Sequence, residues 1–248
     1  MIGIMGAMHE ELDRIVSMIE SVSEEKVGNK TVYLGLLNDQ KVVVVFSGWG
    51  KVAAATTSTM LIERYKITSL IFTGVAGAIS PSLSIGDIVI GTSFVQHDMD
   101  CAGVLGIKRF EIPLLSLTEI PSSFNLQKQS IQAAKKYVAE DLVSDVSKDE
   151  LDQLGVSKPN VYTGLIASGD QFISSADKQQ ELLDALPKLL AVEMEGAAVA
   201  QVAYEYELDF IVIRIISDKA DDDAVIDFPR FIEHVASHFT AGIIKRLV

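Results

Sequence analysis

The chain holds a single cysteine, Cys101, among 248 residues. No disulfide can form within it, and a reducing compartment, the cytoplasm, is the expectation. Positive charge is scarce as well: 21 Lys and Arg stand against 34 Asp and Glu, for a formal net charge of −13. Binding to a phosphate backbone draws on clustered cations, so no nucleic-acid partner is expected. Long apolar runs are missing too. The most hydrophobic stretches, "KVVVVFSG" and "FIVIRIIS", fall far short of the ~20 residues that cross a bilayer, so no membrane partner is expected either. The amino-terminal "MIGIMGAMHEELDR" lacks the basic opening of a signal peptide. What stays open is a small-molecule site in a soluble protein, whose 48% hydrophobic residues suffice for a sizeable core.

What is present alternates in period. Strand-like apolar runs cover residues 2–5, 31–37, 42–46, 69–73, 87–95, 162–167, 190–192 and 210–217; helical periodicity covers 8–19, 51–65, 126–140, 177–185, 195–206 and 228–246. Helices between apolar strands predict an α/β fold, with the strands covered on both faces as in a largely parallel sheet. No internal repeat and no linker rich in Gly, Pro or Ser interrupts the pattern, so a single domain over 1–248 is expected. The exception is 97–123, an irregular stretch around "GVLGIKRFEIP". A loop of that length in a compact domain usually carries function or an interface.

Ligands of open α/β sheets collect beyond the carboxyl ends of strands. There the sequence puts Ala7, Met8, Glu10 and Glu11 after the first strand, and Gly74, Val75, Ala76 and Gly77 after "LIFT". Ser168, Gly169, Asp170, Phe172 and Ile173 follow "LIA"; Glu193, Met194 and Glu195 follow "LLAV"; Ser217 and Asp218 follow "VIRII", with Arg214 inside that strand. The junction "KLLAVEMEGAAVAQVA" places two carboxylates one residue apart in an apolar run. Burying charge is costly unless it is paired or used, so this junction is expected to line a polar pocket. Each residue alone has a plainer reading. Glu10 and Glu11 suit the first turn of a helix, Asp218 could cap a turn, Met194 could be core, and Arg214 could be a buried ion-pair partner. Their joint appearance at successive strand ends favours a site.

Other motifs are incomplete. "MIGIMG" lacks the G-x-G-x-x-G spacing, and "SGWGKVAAAT" lacks that of a phosphate loop. His234 and His238 in "HVASH" have no adjacent glutamate, and "DKADDD" has neither the glycine nor the closing glutamate of a calcium loop. No metal and no cofactor is expected.

The ordered set "GIMGAMHEEL", "SGWGKVAAA", "FTGVAGAI", "GDIVIG", "HDMD", "GLIASGDQFI", "AVEMEGAAVA" and "RIISDKAD" resembles the 5′-methylthioadenosine/S-adenosylhomocysteine nucleosidases of the nucleoside phosphorylase superfamily. The resemblance is collinear from residue 2 to the terminal helix and weakest between Cys101 and Asn160. It implies a nucleoside phosphorylase-like fold, α/β in a single domain with a mixed central β-sheet flanked by helices. It also implies hydrolysis of the N-ribosidic bond of 5′-thioadenosines. Carried over by residue, it implies that Asp218 protonates adenine N7 with Ser217 holding it, and that Glu11 activates the attacking water. Glu195 would grip the ribose hydroxyls over Met194, with Arg214 near the water and hydroxyl network. Phe172 would stack on the purine and Ile173 bond it through its backbone. Ala7, Met8 and Trp49 would line the sugar and 5′-thio pockets; Val75, Ala76, Gly77, Glu193 and Phe228 complete the substrate-side set. A homodimer is implied too, with the 97–123 loop near the partner's site. Val75 stands where many members carry a serine, Ala78 replaces a usual glycine, Trp49 replaces a smaller aliphatic residue, and 101–113 reads differently. These departures bear on the 5′ substituent more than on the reaction.

The residue types suit such chemistry by themselves. Cleaving an N-riboside requires an acid at the leaving purine and a base for water on the opposite face. A carboxyl at an apolar strand end can keep its proton near neutrality, as Asp218 must, while Glu11 must ionise to accept one. Glu195 can accept two hydroxyl hydrogen bonds and favour a cationic sugar. Glu193 is expected to point elsewhere because strand side chains alternate, toward Arg214, a supporting contact or solvent. Three alternatives remain: a phosphate-dependent phosphorylase, which Glu11 would disfavour by repelling phosphate; a hydrolase of aminodeoxyfutalosine or 5′-deoxyadenosine; and a non-catalytic adenosine binder.

Overall fold

The computed structural model describes residues 1–156 and 158–248, the side chains of Ile226, Glu233 and His234 excepted. The apolar runs form strands β1 (Ile2–Gly6), β2 (Glu20–Val27), β3 (Lys30–Leu37), β4 (Gln40–Phe46), β5 (Ser69–Ala78), β6 (Ile88–Gln96), β7 (Ile120–Pro121), β8 (Val161–Ser168), β9 (Leu189–Glu193) and β10 (Asp209–Asp218). Between them lie helices α1 (His9–Ser17), α2 (Lys51–Tyr65), α3 (Phe124–Lys136), α4 (Leu142–Asp145), α5 (Lys148–Gln153), α6 (Ala176–Ala185), α7 (Gly196–Glu205), α8 (Ala224–Phe231) and α9 (Ser237–Leu247). No helix among the described residues is long and apolar enough to cross a membrane.

All the strands join one sheet, and part of it closes on itself. β5 pairs with β10, β10 with β6, β6 with β8, β8 with β9, and β9 returns to β5. Beyond this ring, β1 sits between β5 and β4, and β3 and β2 follow. The sheet is mixed rather than largely parallel: β5–β10, β6–β8 and β8–β9 are parallel, whereas β6 meets β10 antiparallel and β9 meets β5 antiparallel. Uniformly apolar strands imply cover on both faces but leave strand direction open, which is why the pattern alone misled. Besides a smaller third cluster around Leu165, Leu182 and Val192, side-chain alternation divides the core between two. Ile4, Leu12, Ile213 and Phe239 belong to one cluster with α1 and α9; Met5, Leu61, Phe72 and Val199 belong to the other with α2 and α7.

Several boundaries differ from expectation. β2 was not anticipated, because "ESVSEEKV" is mostly exposed and has no apolar face. It pairs only with β3, and an edge strand can be charged. β5 and β10 run on to Ala78 and Asp218, so the site residues there are strand residues and not loop residues. The expected helix over 228–246 is α8 and α9 joined by a π-helical turn, Ile232–Ala236, and α3 likewise continues through π-helical Tyr137–Asp141. Helices α4 and α5 were unforeseen. The 97–123 stretch is irregular as expected, apart from β7 and an isolated bridge between Ile112 and Leu117.

Candidate active site

The ends of β5, β8, β9 and β10, with the turn before α1, enclose a cleft holding about 580 Å³ of empty space, its open mouth included. Glu11, Glu195 and Asp218, from distant parts of the chain, all line it. Ala7, Met8 and Trp49 form one side; Val75, Ala76 and Gly77 come from β5; Phe172 and Ile173 follow β8. Glu193, Met194, Ser217 and Phe228 complete the expected set. Arg214 is the exception, standing behind the wall rather than in it. Gln171 and Val192 also line the cleft and carried no expectation. Their positions, between or beside residues that did, were the only available signal.

Glu11 is the third residue of α1 and reaches back over the helix start. Its Oε2 accepts the N–H groups of Ala7 at 2.7 Å and Met8 at 3.0 Å, and its Oε1 accepts that of Val75 at 3.2 Å. A Cβ on Gly74 would lie 2.5 Å from Oε1, so only glycine lets β5 come this close. Burial pushes the Glu11 carboxyl up from its ordinary value, against the pull of Arg214 and the three N–H donors. Thr240 of α9 donates its hydroxyl to the Glu11 carbonyl at 2.6 Å, fixing the main chain from behind.

The paired glutamates have different fates. Glu193 is saturated by protein. Its Oε2 meets Arg214 Nη2 at 2.7 Å and the Glu195 N–H at 3.2 Å; its Oε1 accepts from Ser168 Oγ and from the Gly196 N–H at 2.9 Å. It therefore caps α7 and neutralises Arg214, whose guanidinium lies 4.0 Å over the Phe72 ring and is 1% exposed. Glu195 accepts the Gly50 N–H at 2.8 Å on Oε1 and turns into the cleft. Burial and then the charge of Glu193 lift its carboxyl to about 8, opposed by Gly50 and Arg214. Three buried carboxylates thus surround one guanidinium, which favours protons or a cationic ligand.

Asp218 ends β10, with Oδ2 accepting the Ser217 hydroxyl and Oδ1 the Ala220 N–H, each at 2.8 Å. Burial raises its carboxyl, helped by Asp221 and Asp227 and opposed by those two donors. Apolar walls complete the cleft: the rings of Phe172 and Phe228 meet edge to face at 5.5 Å, and Trp49 stands 62% exposed at the rim. No Lys or Arg is among the described lining residues. Among the described residues, no group of three His, Cys, Asp or Glu is placed to hold a metal. His238 lies 3.2 Å from Asp145, away from the cleft lining, and the His234 side chain lies outside the described residues.

This cleft and fold match known proteins. The model of the phosphorylase superfamily matches residues 1–248. A 5′-methylthioadenosine/S-adenosylhomocysteine nucleosidase of Staphylococcus aureus (strain bovine RF122 / ET3-1) is 36% identical over 236 residues, 95% of this chain and 94% of the relative. The chain belongs to the phosphorylase superfamily and, within it, to the family of these nucleosidases. The crystal structure of the Neisseria meningitidis nucleosidase in complex with methylthio-immucillin-A superposes with a TM-score of 0.87 at 31% identity, covering 99% of this chain and 97% of that one. A futalosine hydrolase from Helicobacter pylori strain 26695 is similar at a TM-score of 0.82 and 30% identity, over 99% and 96% of the two chains. Members of this family are N-glycosyl hydrolases, the reaction class that two carboxylates across a cleft serve.

Proposed function

We propose that this chain, acting as one domain, hydrolyses the N-ribosidic bond of 5′-methylthioadenosine and S-adenosylhomocysteine and releases adenine. The observation that carries the reading is the convergence of Glu11, Glu195 and Asp218 on one cleft. Asp218, its proton retained by burial, donates to N7 so that adenine leaves neutral. Glu195, held by Gly50, meets the ribose hydroxyls through its other oxygen; burial keeps it protonated in the free protein, and the developing positive charge of the oxocarbenium-like sugar favours its ionised form. Glu11 takes a proton from the attacking water. A carboxyl raised toward neutrality is the stronger base, and Arg214 with three N–H donors keeps it ionisable. Phe172 stacks on the purine, and Met194 packs beneath the sugar. Arg214 touches neither; it acts through its charge on Glu11 and its ion pair with Glu193. No metal or other cofactor has a part in this scheme.

The absence of a cation from the described lining disfavours phosphorolysis, since phosphate needs cationic or amide donors. A second reading, preference for aminodeoxyfutalosine or 5′-deoxyadenosine, is supported by the similarity to futalosine hydrolase and by the apolar side chains of Val75 and Trp49 in the cleft lining. Leu105 is 95% exposed and Leu114 fully so, which supports a homodimer with the 97–123 loop near the partner's cleft. One free cysteine fits the cytoplasm. Adenine release should be measured from methylthioadenosine, adenosylhomocysteine and aminodeoxyfutalosine, with and without phosphate. Turnover of the first two without phosphate is the expected result. Dependence on phosphate would overturn the hydrolase reading, and turnover of aminodeoxyfutalosine alone would transfer it to the second.

A further inference from the structure

Helix α2 begins without a cap of its own. Its N-cap is Gly50, at φ 89°, which has no side chain to accept the first N–H groups. Two carboxylates from other segments do so instead: Glu195 accepts from Gly50 at 2.8 Å, and Asp170 accepts from Lys51 at 2.7 Å. The second contact is part of a closed ring. The Asp170 N–H donates to Asp98 Oδ2 at 2.9 Å, and Asp98 Oδ1 meets Lys51 Nζ at 2.6 Å. Lys51 Nζ also reaches Gln96 Oε1 at 3.1 Å, and Gln96 holds Gln201 of α7 at 2.7 Å. The Lys51 and Asp98 side chains are each only 18% exposed, so solvent screens this pair less than a surface one. Burial pushes the Asp98 carboxyl up, yet Lys51 and the Asp170 N–H prevail and hold it below its ordinary value. A Cβ on residue 50 would sit 2.8 Å from Asp170 Oδ1, so the turn is shaped to this contact.

The ring joins two walls of the cleft. On one side, Gly50 steadies Glu195. On the other, Asp170 leads directly into Gln171, Phe172 and Ile173. We propose that Lys51, Asp98 and Asp170 form a positioning clamp that sets the gap between the ribose carboxylate and the purine-side wall. None of the three lines the cleft, so they act through Gly50 and Phe172. The inference rests on the nucleosidase reading for its catalytic consequence, but not for its geometry.

The test uses the full chain and its only tryptophan, Trp49, which adjoins Gly50. Asp98→Ala and Asp170→Ala should lower kcat/KM on the order of ten- to a hundredfold, the usual penalty for a small misplacement. Asp170→Asn keeps an oxygen for the Lys51 N–H and should recover most of the activity. Lys51→Met should match Asp98→Ala, and the double variant should be no worse than either, as for residues acting as a unit. Without substrate, Asp98→Ala should change Trp49 emission and its quenching by acrylamide, while far-ultraviolet circular dichroism stays that of the parent. Unchanged Trp49 spectra, additive losses, or Asp170→Asn falling as far as Asp170→Ala would each overturn the clamp. If the parent itself releases no adenine, the nucleosidase reading fails, and the Trp49 spectra still decide the clamp.

Discussion

The β9–α7 junction and the 97–123 segment both carry residues out of their usual solvent environment, and they do so in opposite ways. At the junction, charge is buried, and every oxygen of Glu193 has a protein partner. In the loop, apolar side chains are exposed: Val104, Leu105 and Leu114 face solvent, while Phe110 and Ile112 anchor the segment from beneath. The first region is complete within one chain. The second offers surface that only another body could cover. The proposed reacting centre is therefore the self-contained part, with Val75 buried against Glu11, whereas Trp49 stands exposed at the cleft rim.

The sharpest way to break this contrast is at the reacting centre. Asp218→Asn keeps the shape of the site but cannot supply a carboxyl proton, so adenine release should fall on the order of 10²–10⁴-fold with folding intact. A near-parental rate would remove Asp218 from the acid role. Next in size is Glu193→Ala, which leaves Arg214 buried and unpaired and should cost about 3–5 kcal/mol of stability in urea denaturation. Glu195→Gln, two positions on in sequence, should cost far less, because glutamine still accepts from Gly50 and is neutral like the protonated carboxyl it replaces. Equal losses would mean that the two glutamates share one role.

The pH dependence follows from raised carboxyls. Glu195 holds its proton in the folded state up to about 8, whereas the unfolded chain loses it near 4.5. Between those values the folded state binds more protons, so stability is fully present below the lower value and falls as pH rises through the window. Glu11 and Asp218, also raised, act in the same direction. Thermal denaturation of the free protein across this range should show the decline, and Glu195→Gln should flatten it. A melting temperature rising toward pH 8 would contradict the assignment. The smallest effect on the fold is expected in the open region. Leu105→Asp with Leu114→Asp should change chain stability by no more than about 0.5 kcal/mol yet shift sedimentation from dimer to monomer. A persistent dimer would place the interface elsewhere.

Strands of Val and Ile with helical periods between them were legible because burial on both faces leaves no polar alternation. Edge strand β2 was illegible for the converse reason: its charges face water. Acids at successive strand ends were readable as a group from the residues, and the resemblance to the nucleosidases singled out Glu11, Glu195 and Asp218 among them. Arg214 was readable as buried but not as standing behind the cleft wall. The Lys51–Asp98–Asp170 ring was not readable at all, since its members lie 47 and 119 residues apart along the chain and each alone looks like a solvated charge.

By itself, the order of residues determined that this is an α/β chain with acids at successive strand ends, because hydrophobic period and misplaced charge are local properties. The resemblance turned Glu195 toward a ligand and strand alternation turned Glu193 elsewhere; only the tertiary structure decided that Glu193 is spent on Arg214 and not left to solvent. Glu193 and Glu195 differ in neither type nor neighbourhood; they differ in the direction their side chains take where β9 turns into α7, and that direction is set by the distant strand and turn that meet them.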